Sequence, residues 1–179
     1  MDHTSFELKN PSRIQLYVDA DACQRNLRLI ILKAVVRRGF PALFAADRSL
    51  PDVSAVMQEA HTLTDGYPLV QMAIVPKGDD SADDCLVQYA HAGALAITRD
   101  IILAARLAEL GLVVLDDRGG VFTKENVRER LSVRNMMTEL RDYGIFAERT
   151  RPMGPREIQA FSNALDREIT RVLKNSVEF

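Results

Sequence analysis

Short apolar runs alternate with stretches whose apolar positions recur every three or four residues, so the first two thirds of the chain predict strands and helices in turn. IQLYVDA at 14–20 is rich in β-branched and aromatic residues and too short for a buried helix, which makes it a strand. From Ala22 to Arg38, Leu27, Ile30, Ile31, Ala34 and Val35 fall on one helical face, and Gly39 stands at the stop position. PALFAA at 41–46 is a second strand. A short helix follows within 49–63, then a DGYP turn at 65–68 and a third strand, LVQMAIV, at 69–75. The acidic loop PKGDDSADD leads into a helix to about Ala92. ALAIT at 94–98 is a fourth strand, Ile101 to Leu110 a helix, and LVVLD at 112–116 a fifth strand. This alternation predicts parallel βαβ units and a three-layer α/β/α sandwich with a mainly parallel sheet.

Beyond Phe122 the pattern turns helical. TKENVRERLSVRNMMTELRDYG is amphipathic over one or two helices, with Thr123 as N-cap and Asn126 completing an imperfect capping box. ERTRPMGP is a linker, and Arg156 to Leu173 is the last helix. The expected organisation is a tail at 1–13, an α/β domain at 14–121, and a helical extension at 122–179 packed on that domain.

Composition narrows the classes. The chain has 179 residues, 47% hydrophobic and 27% charged, enough for one domain with a real core. No apolar stretch reaches the roughly 18 residues of a membrane helix, and MDHTSFELKN lacks a secretory pattern, so the expected address is the cytoplasm with no membrane partner. Cys23 and Cys85 form no ligand-spaced pair. Cys23, near a helix start, is expected to be a small buried residue ahead of a reactive thiol. His61 and His91 receive no role. The net charge of −2 hides an asymmetry: residues 1–117 hold 11 basic against 16 acidic side chains, and residues 118–156 hold 9 against 5.

The candidate chemistry lies in the acids. In parallel α/β sheets ligands bind outside the carboxyl ends of the strands, and there stand Asp19 and Asp21, then Asp79, Asp80, Asp83 and Asp84, then Asp100, then Asp116 and Asp117. Carboxylates converging in one crevice repel each other unless a cation neutralises them, and an all-oxygen donor set favours Mg²⁺ or Mn²⁺ over zinc. Aspartate is also a common cap and turn former, which suffices for Asp47, Asp52, Asp65 and Asp142 and is the better account of Asp79, Asp84 and Asp117.

The ordered set VDADAC (18–23), GDDSAD (78–83), AITRDIILA (96–104), Arg118-Gly119 and RERLSVRNMMTELRDYG (128–144) resembles the YaiI/YqxD-like family of uncharacterised bacterial proteins, a branch of the PIN-like nuclease superfamily. The resemblance runs from about residue 14 to 165. It implies strand-end acids that bind Mg²⁺ or Mn²⁺ and cut phosphodiesters, a role falling on Asp19, Asp83 and Asp100 with Asp21 and Asp80 in support. Nucleic acid is then the partner, RNA expected ahead of DNA, with a homo-oligomer left open. Three positions depart from the family pattern: Gln24 replaces a proline, Ala94 an aspartate, and Arg99 a small residue. Arg99 would stand beside the carboxylates, to hold a phosphate or to take the place of the metal.

Two rivals start from the same residues. An apolar strand ending in D-x-D resembles the haloacid-dehalogenase phosphatases, with Asp19 as nucleophile, Asp21 as general acid, and Lys77 before the later acidic motif. Alternatively the chain is a non-catalytic nucleic-acid-binding module, in which Arg118, Arg128, Arg130, Arg134 and Arg141 contact phosphates. Arg99, Arg118, Arg134 and Arg141 are the candidate substrate-binding cations in the nuclease reading.

Overall fold

A computed structural model describes residues 7–78, 80–144 and 153–177. Five parallel strands form the centre: β1 (Leu16–Asp19), β2 (Ala42–Ala46), β3 (Val70–Ile74), β4 (Leu95–Ile97) and β5 (Val113–Leu115). A sixth, β6 (Val121–Phe122), pairs antiparallel with β5, and the sheet order is β3-β2-β1-β4-β5-β6. The crossovers are α1 (Arg25–Arg38), α2 (Pro51–Gln58), α3 (Ser81–Tyr89) and α4 (Ile101–Glu109), followed by α5 (Val127–Asp142) and α6 (Pro155–Val177).

Strand alternation divides the core in two. Leu16 and Val18 of β1 face a cluster with Leu27, Ile31 and Val35 of α1 and Phe161, Leu165 and Ile169 of α6. Tyr17, between them, faces the other side, where Leu86 of α3 and Leu103 and Leu107 of α4 cover the sheet. A period of two in β1 thus feeds two helical layers, and both faces of β1 and β2 are buried. This is the expected three-layer α/β/α arrangement. Gly39 ends α1 in the left-handed region at φ 60°, its N–H bonded to the Val35 carbonyl.

Several boundaries shift. α1 starts at Arg25 rather than Ala22, α3 stops at Tyr89 short of Ala92, and α6 runs past Leu173 to Val177. Thr123 does not cap α5, which begins four residues later. Residues 123–126 form a turn instead, in which the Asn126 Oδ1 accepts from the Thr123 N–H at 2.8 Å and its Nδ2 donates to the Val121 carbonyl. Most of the linker and Asp79 lie outside the described residues.

The β5–β6 turn docks α6. Gly119 has φ +85°, and a Cβ there would stand 2.7 Å from the Ala160 carbonyl oxygen. Gly119→Ala combines backbone strain with a backbone clash, and should cost about 1–3 kcal/mol, read as a lower urea midpoint at an unchanged slope. A variant as stable as wild type would show that α6 does not rest on this turn.

Candidate active site

The strand order reverses between β1 and β4, since β1 connects to β2 on one side and pairs with β4 on the other. Ligands of open α/β sheets bind at such switch points, outside the carboxyl ends. Asp19 is the last residue of β1, and Thr98, Arg99 and Asp100 leave β4 beside it.

Asp19 is buried, only 5% exposed. Its Oδ2 accepts from the Thr98 hydroxyl at 2.9 Å. The Thr98 oxygen in turn accepts from the Asp100 N–H at 3.0 Å, and the Asp100 Oδ1 accepts from the Ile102 N–H at 2.9 Å, capping α4. One chain of hydrogen bonds therefore fixes both carboxylates and leaves each with a second oxygen outside these bonds. Burial raises the proton affinity of Asp19; the Thr98 bond opposes that, Asp21 and Asp100 add to it, and Arg99 counters them.

Asp83 joins from the first turn of α3. Burial and then the charges of Asp19, Asp100 and Asp80 push its carboxyl up to about 6, against a weaker pull from Arg106. Asp80, at the N-cap of α3 with φ 65°, is exposed. Among the described residues Asp19, Asp80, Asp83 and Asp100 form no ion pair, whereas neighbouring Asp84 takes Arg106 at 3.0 Å. The crevice thus gathers negative charge from three separate segments, which Arg99 and Arg106 offset only from a distance.

That charge has a pH signature. An Asp whose folded pKa exceeds its unfolded value of 3.8 favours folding while protonated and loses that advantage as pH rises from about 4 through about 6. Asp83→Asn should abolish this loss, standing about 1 kcal/mol above wild type at pH 7.5 after solvent screening and converging with it near pH 4. Parallel stability curves for the two proteins in urea would remove Asp83 from the cluster.

Other candidates are placed differently. Asp21 turns toward the β2–α2 loop: its Oδ2 accepts from the Asp47 N–H at 2.9 Å and its Oδ1 pairs with Arg48 at 3.2 Å. Burial raises its pKa, the Asp47 N–H opposing. Asp21 reaches the crevice through its charge on Asp19 and ties down a neighbouring loop with its oxygens. Arg99 is exposed and makes no ion pair among the described residues, its charge acting on Asp19 without a direct contact.

Arg118 sits in the β5–β6 turn, its N–H donating to Asp116, which also receives the Gly120 N–H. The Asp116 carboxylate is thereby committed to the turn. Arg134 and Arg141 are exposed on α5 and their guanidinium groups have no partner among the described residues. The first turn of α5 lies at the far end of α4 from Asp100, where Arg128 pairs with Glu109 at 3.0 Å. Among the described residues no hydrogen bond or ion pair joins Arg134 or Arg141 to the carboxylates.

Cys23 is buried, and burial pushes its thiol up to about 12, a small core residue and no nucleophile. Arg28 and Asp52 carried no expected role beyond a helix face and a cap, yet they form a buried pair at 2.8 Å, and Arg28 Nη1 donates to the Cys23 carbonyl at 2.6 Å. They brace the loop that follows Asp19. Thr98 was also missed, although T-x-D with a two-residue spacing is the signal of a hydroxyl accepting from a following N–H.

No three of the described acidic, histidine or cysteine side chains are gathered as a ready-made metal ligand set. The donor chemistry nevertheless suits a hard divalent cation: all oxygen, partly desolvated, mutually repelling, and with an oxygen left over on both Asp19 and Asp100. Among the described residues no helix is long and apolar enough to cross a membrane.

The profile of the family described as "Uncharacterized BCR, YaiI/YqxD family" matches residues 17–171. The chain belongs to the YaiI/YqxD family. Relatives agree over nearly the whole length: a UPF0178 protein of Treponema pallidum is 40% identical over 159 residues, covering 89% of this chain and 83% of its own. A UPF0178 protein of Pseudomonas fluorescens is 39% identical over 163 residues, covering 91% of this chain and all of its own. No solved structure matches. The YaiI/YqxD match spans every element from β1 into α6, so the crevice lies wholly within the family segment.

Proposed function

We propose that this YaiI/YqxD protein is a PIN-like, Mg²⁺- or Mn²⁺-dependent nuclease that hydrolyses phosphodiester bonds, RNA ahead of DNA. The observation that carries the reading is the convergence of Asp19, Asp83 and Asp100, from three separate segments, on the sheet's switch point without an ion pair among the described residues. Asp19, Asp83 and Asp100 would hold the ion, with Asp80 at the rim. Once bound, a divalent ion would supply charge neutralisation, polarisation of the phosphate and an activated water.

The protein's own part is positioning and proton balance. Thr98 and the α4 N-terminus fix Asp19 and Asp100. With its carboxyl near 6, Asp83 can exchange a proton close to neutral pH in the uncharged-to-charged step that ion binding requires. Arg99, exposed beside Asp19, and Arg118, in the turn after β5, offer cations for a phosphate at the same edge of the sheet. The phosphatase reading needs Asp21 as a free general acid, and its bonds to Asp47 and Arg48 weigh against that.

The test is incubation of a 5′-labelled RNA with the protein and Mn²⁺. Cleavage that EDTA abolishes is expected. RNA left intact at millimolar Mn²⁺ and excess protein would contradict the proposal.

A further inference from the structure

At the opposite end of the fold, α1 and α6 enclose a second charged feature. α1 descends from the loop after Asp19 to Arg38, and α6 descends alongside it from Ala160, which packs on the Gly119 turn, to Ser176, whose hydroxyl meets Gln15 just before β1. The groove between them, about 450 Å³, is lined by Arg38, Asp166, Arg167, Thr170, Arg171 and Lys174. A smaller, more enclosed depression of about 230 Å³, sharing Asp166, reaches Lys33 and Arg37.

Among the described residues six cations line the two depressions, against Asp166 in the lining and Glu168 beneath it, a formal excess of four positive charges. Both carboxylates are already in use: Asp166 takes Arg37 at 3.1 Å and Arg38 at 3.4 Å, while buried Glu168 takes Arg171 at 2.6 Å and Arg167 at 3.8 Å. Lys33 and Lys174 pair with nothing among the described residues. The Arg171 Nη2 is buried with no hydrogen-bond partner, a donor that a native protein rarely leaves unmet.

The carboxyl end of α1 accounts for Arg37 and Arg38, since cations there complement the helix dipole. It does not account for Arg167 and Arg171 in the middle of α6, like charges one turn apart that share the single carboxylate of Glu168 and keep a net positive charge. Guanidinium groups held by one-sided ion pairs and ammonium groups without partners match the oxygens of phosphate.

We infer that this α1–α6 groove binds the phosphodiester backbone of nucleic acid as a second contact site remote from the crevice. The inference rests on the nucleic-acid substrate of the proposed function and adds to it a footprint. The 14 residues of α1 separate the two sites by roughly 20 Å at 1.5 Å per residue, so a strand must run roughly six nucleotides at 3.4 Å each to reach both. Eight residues of α6, 167 to 174, offer cations over roughly 10 Å, room for two or three phosphates.

The experiment measures binding of labelled 4- and 20-nucleotide RNAs in EDTA across a salt series, for wild type and a variant carrying Lys33→Gln, Arg167→Gln and Lys174→Gln. All three residues are exposed, and an unchanged melting temperature and Mn²⁺ response confirm the fold of the variant. The 20-mer should lose about tenfold in affinity and its log–log salt slope should flatten by about two to three, and the 4-mer, short enough for the groove alone, should lose affinity as well. Equal affinity and slope in the two proteins overturn the inference. So does a groove that serves only small anions, seen as pyrophosphate raising the melting temperature of wild type alone while 20-mer binding is the same in both. If the slope differs but wild type cleaves nothing with Mn²⁺, the groove stands and the nuclease reading fails.

Discussion

Asp19→Asn should abolish Mn²⁺-dependent cleavage while leaving the protein as stable as wild type, or more so. The side-chain carbonyl oxygen of the introduced asparagine can still accept from the Thr98 hydroxyl, so the hydrogen-bond chain through Thr98 to Asp100 survives. What disappears is a buried charge whose own protonation burial already favours. Losing a residue that merely orients a metal ligand costs about 10–100-fold, so losing a ligand at the centre of the site should cost at least about 100-fold. Thr98→Val, which keeps the shape and removes the hydroxyl, should fall within the orienting range. A labelled-RNA cleavage assay beside urea unfolding separates the effects, and an Asp19→Asn protein that cuts at the wild-type rate would remove Asp19 from the chemistry.

The largest stability effect is expected at Arg28. Arg28→Ala leaves Asp52 buried without its cation, and leaves the Cys23 carbonyl without its donor. Breaking one side of a buried ion pair costs about 3–5 kcal/mol, more than deleting an exposed bridge such as Arg128 to Glu109. Burial works to raise the Asp52 pKa, yet the bonds from Arg28 hold it below the usual value. A depressed folded pKa contributes stability above the unfolded pKa of 3.8 and loses it as pH falls below. Wild type should therefore weaken in acid through this group, and Arg28→Ala should lack that component. Replacing both partners by apolar residues should restore most of the loss, because the cost lies in the orphaned charge. A midpoint in urea for Arg28→Ala within about 1 kcal/mol of wild type would contradict the buried pair.

The layers and the strand-end acids were legible for one reason: a parallel sheet puts every carboxyl end on the same edge, so residues distant in sequence share a site once strands and helices alternate. Apolar periodicity located β1 to β5 and α1 to α4, and the burial of β1 and β2 on both faces is what unbroken apolar runs imply. The direction in which each acid points was not legible. Asp19 and Asp21 stand two apart, yet the first faces β4 and the second the loop after β2, where an N–H and Arg48 capture it. Such capture depends on partners more than 25 residues away, which periodicity does not register. Asp52 read as an ordinary cap for the same reason, its partner Arg28 lying 24 residues earlier. β6 escaped because two residues carry no period, and the start of α5 because Asn126 serves the preceding turn instead of a cap.

Calorimetric titration of Mn²⁺ into wild type, Asp83→Asn and Asp21→Asn measures the central claim at its source. Asp83 faces the crevice and Asp21 the β2 loop, so the account predicts saturable binding to wild type, at least about tenfold weaker binding to Asp83→Asn, and near-wild-type binding to Asp21→Asn. Because Asp83 titrates near 6, affinity should also rise between about pH 5.5 and 7 in wild type as the ion ceases to compete with its proton. A wild type that takes up no Mn²⁺ at millimolar concentration, or an Asp83→Asn protein that binds it as tightly as wild type, would contradict the account.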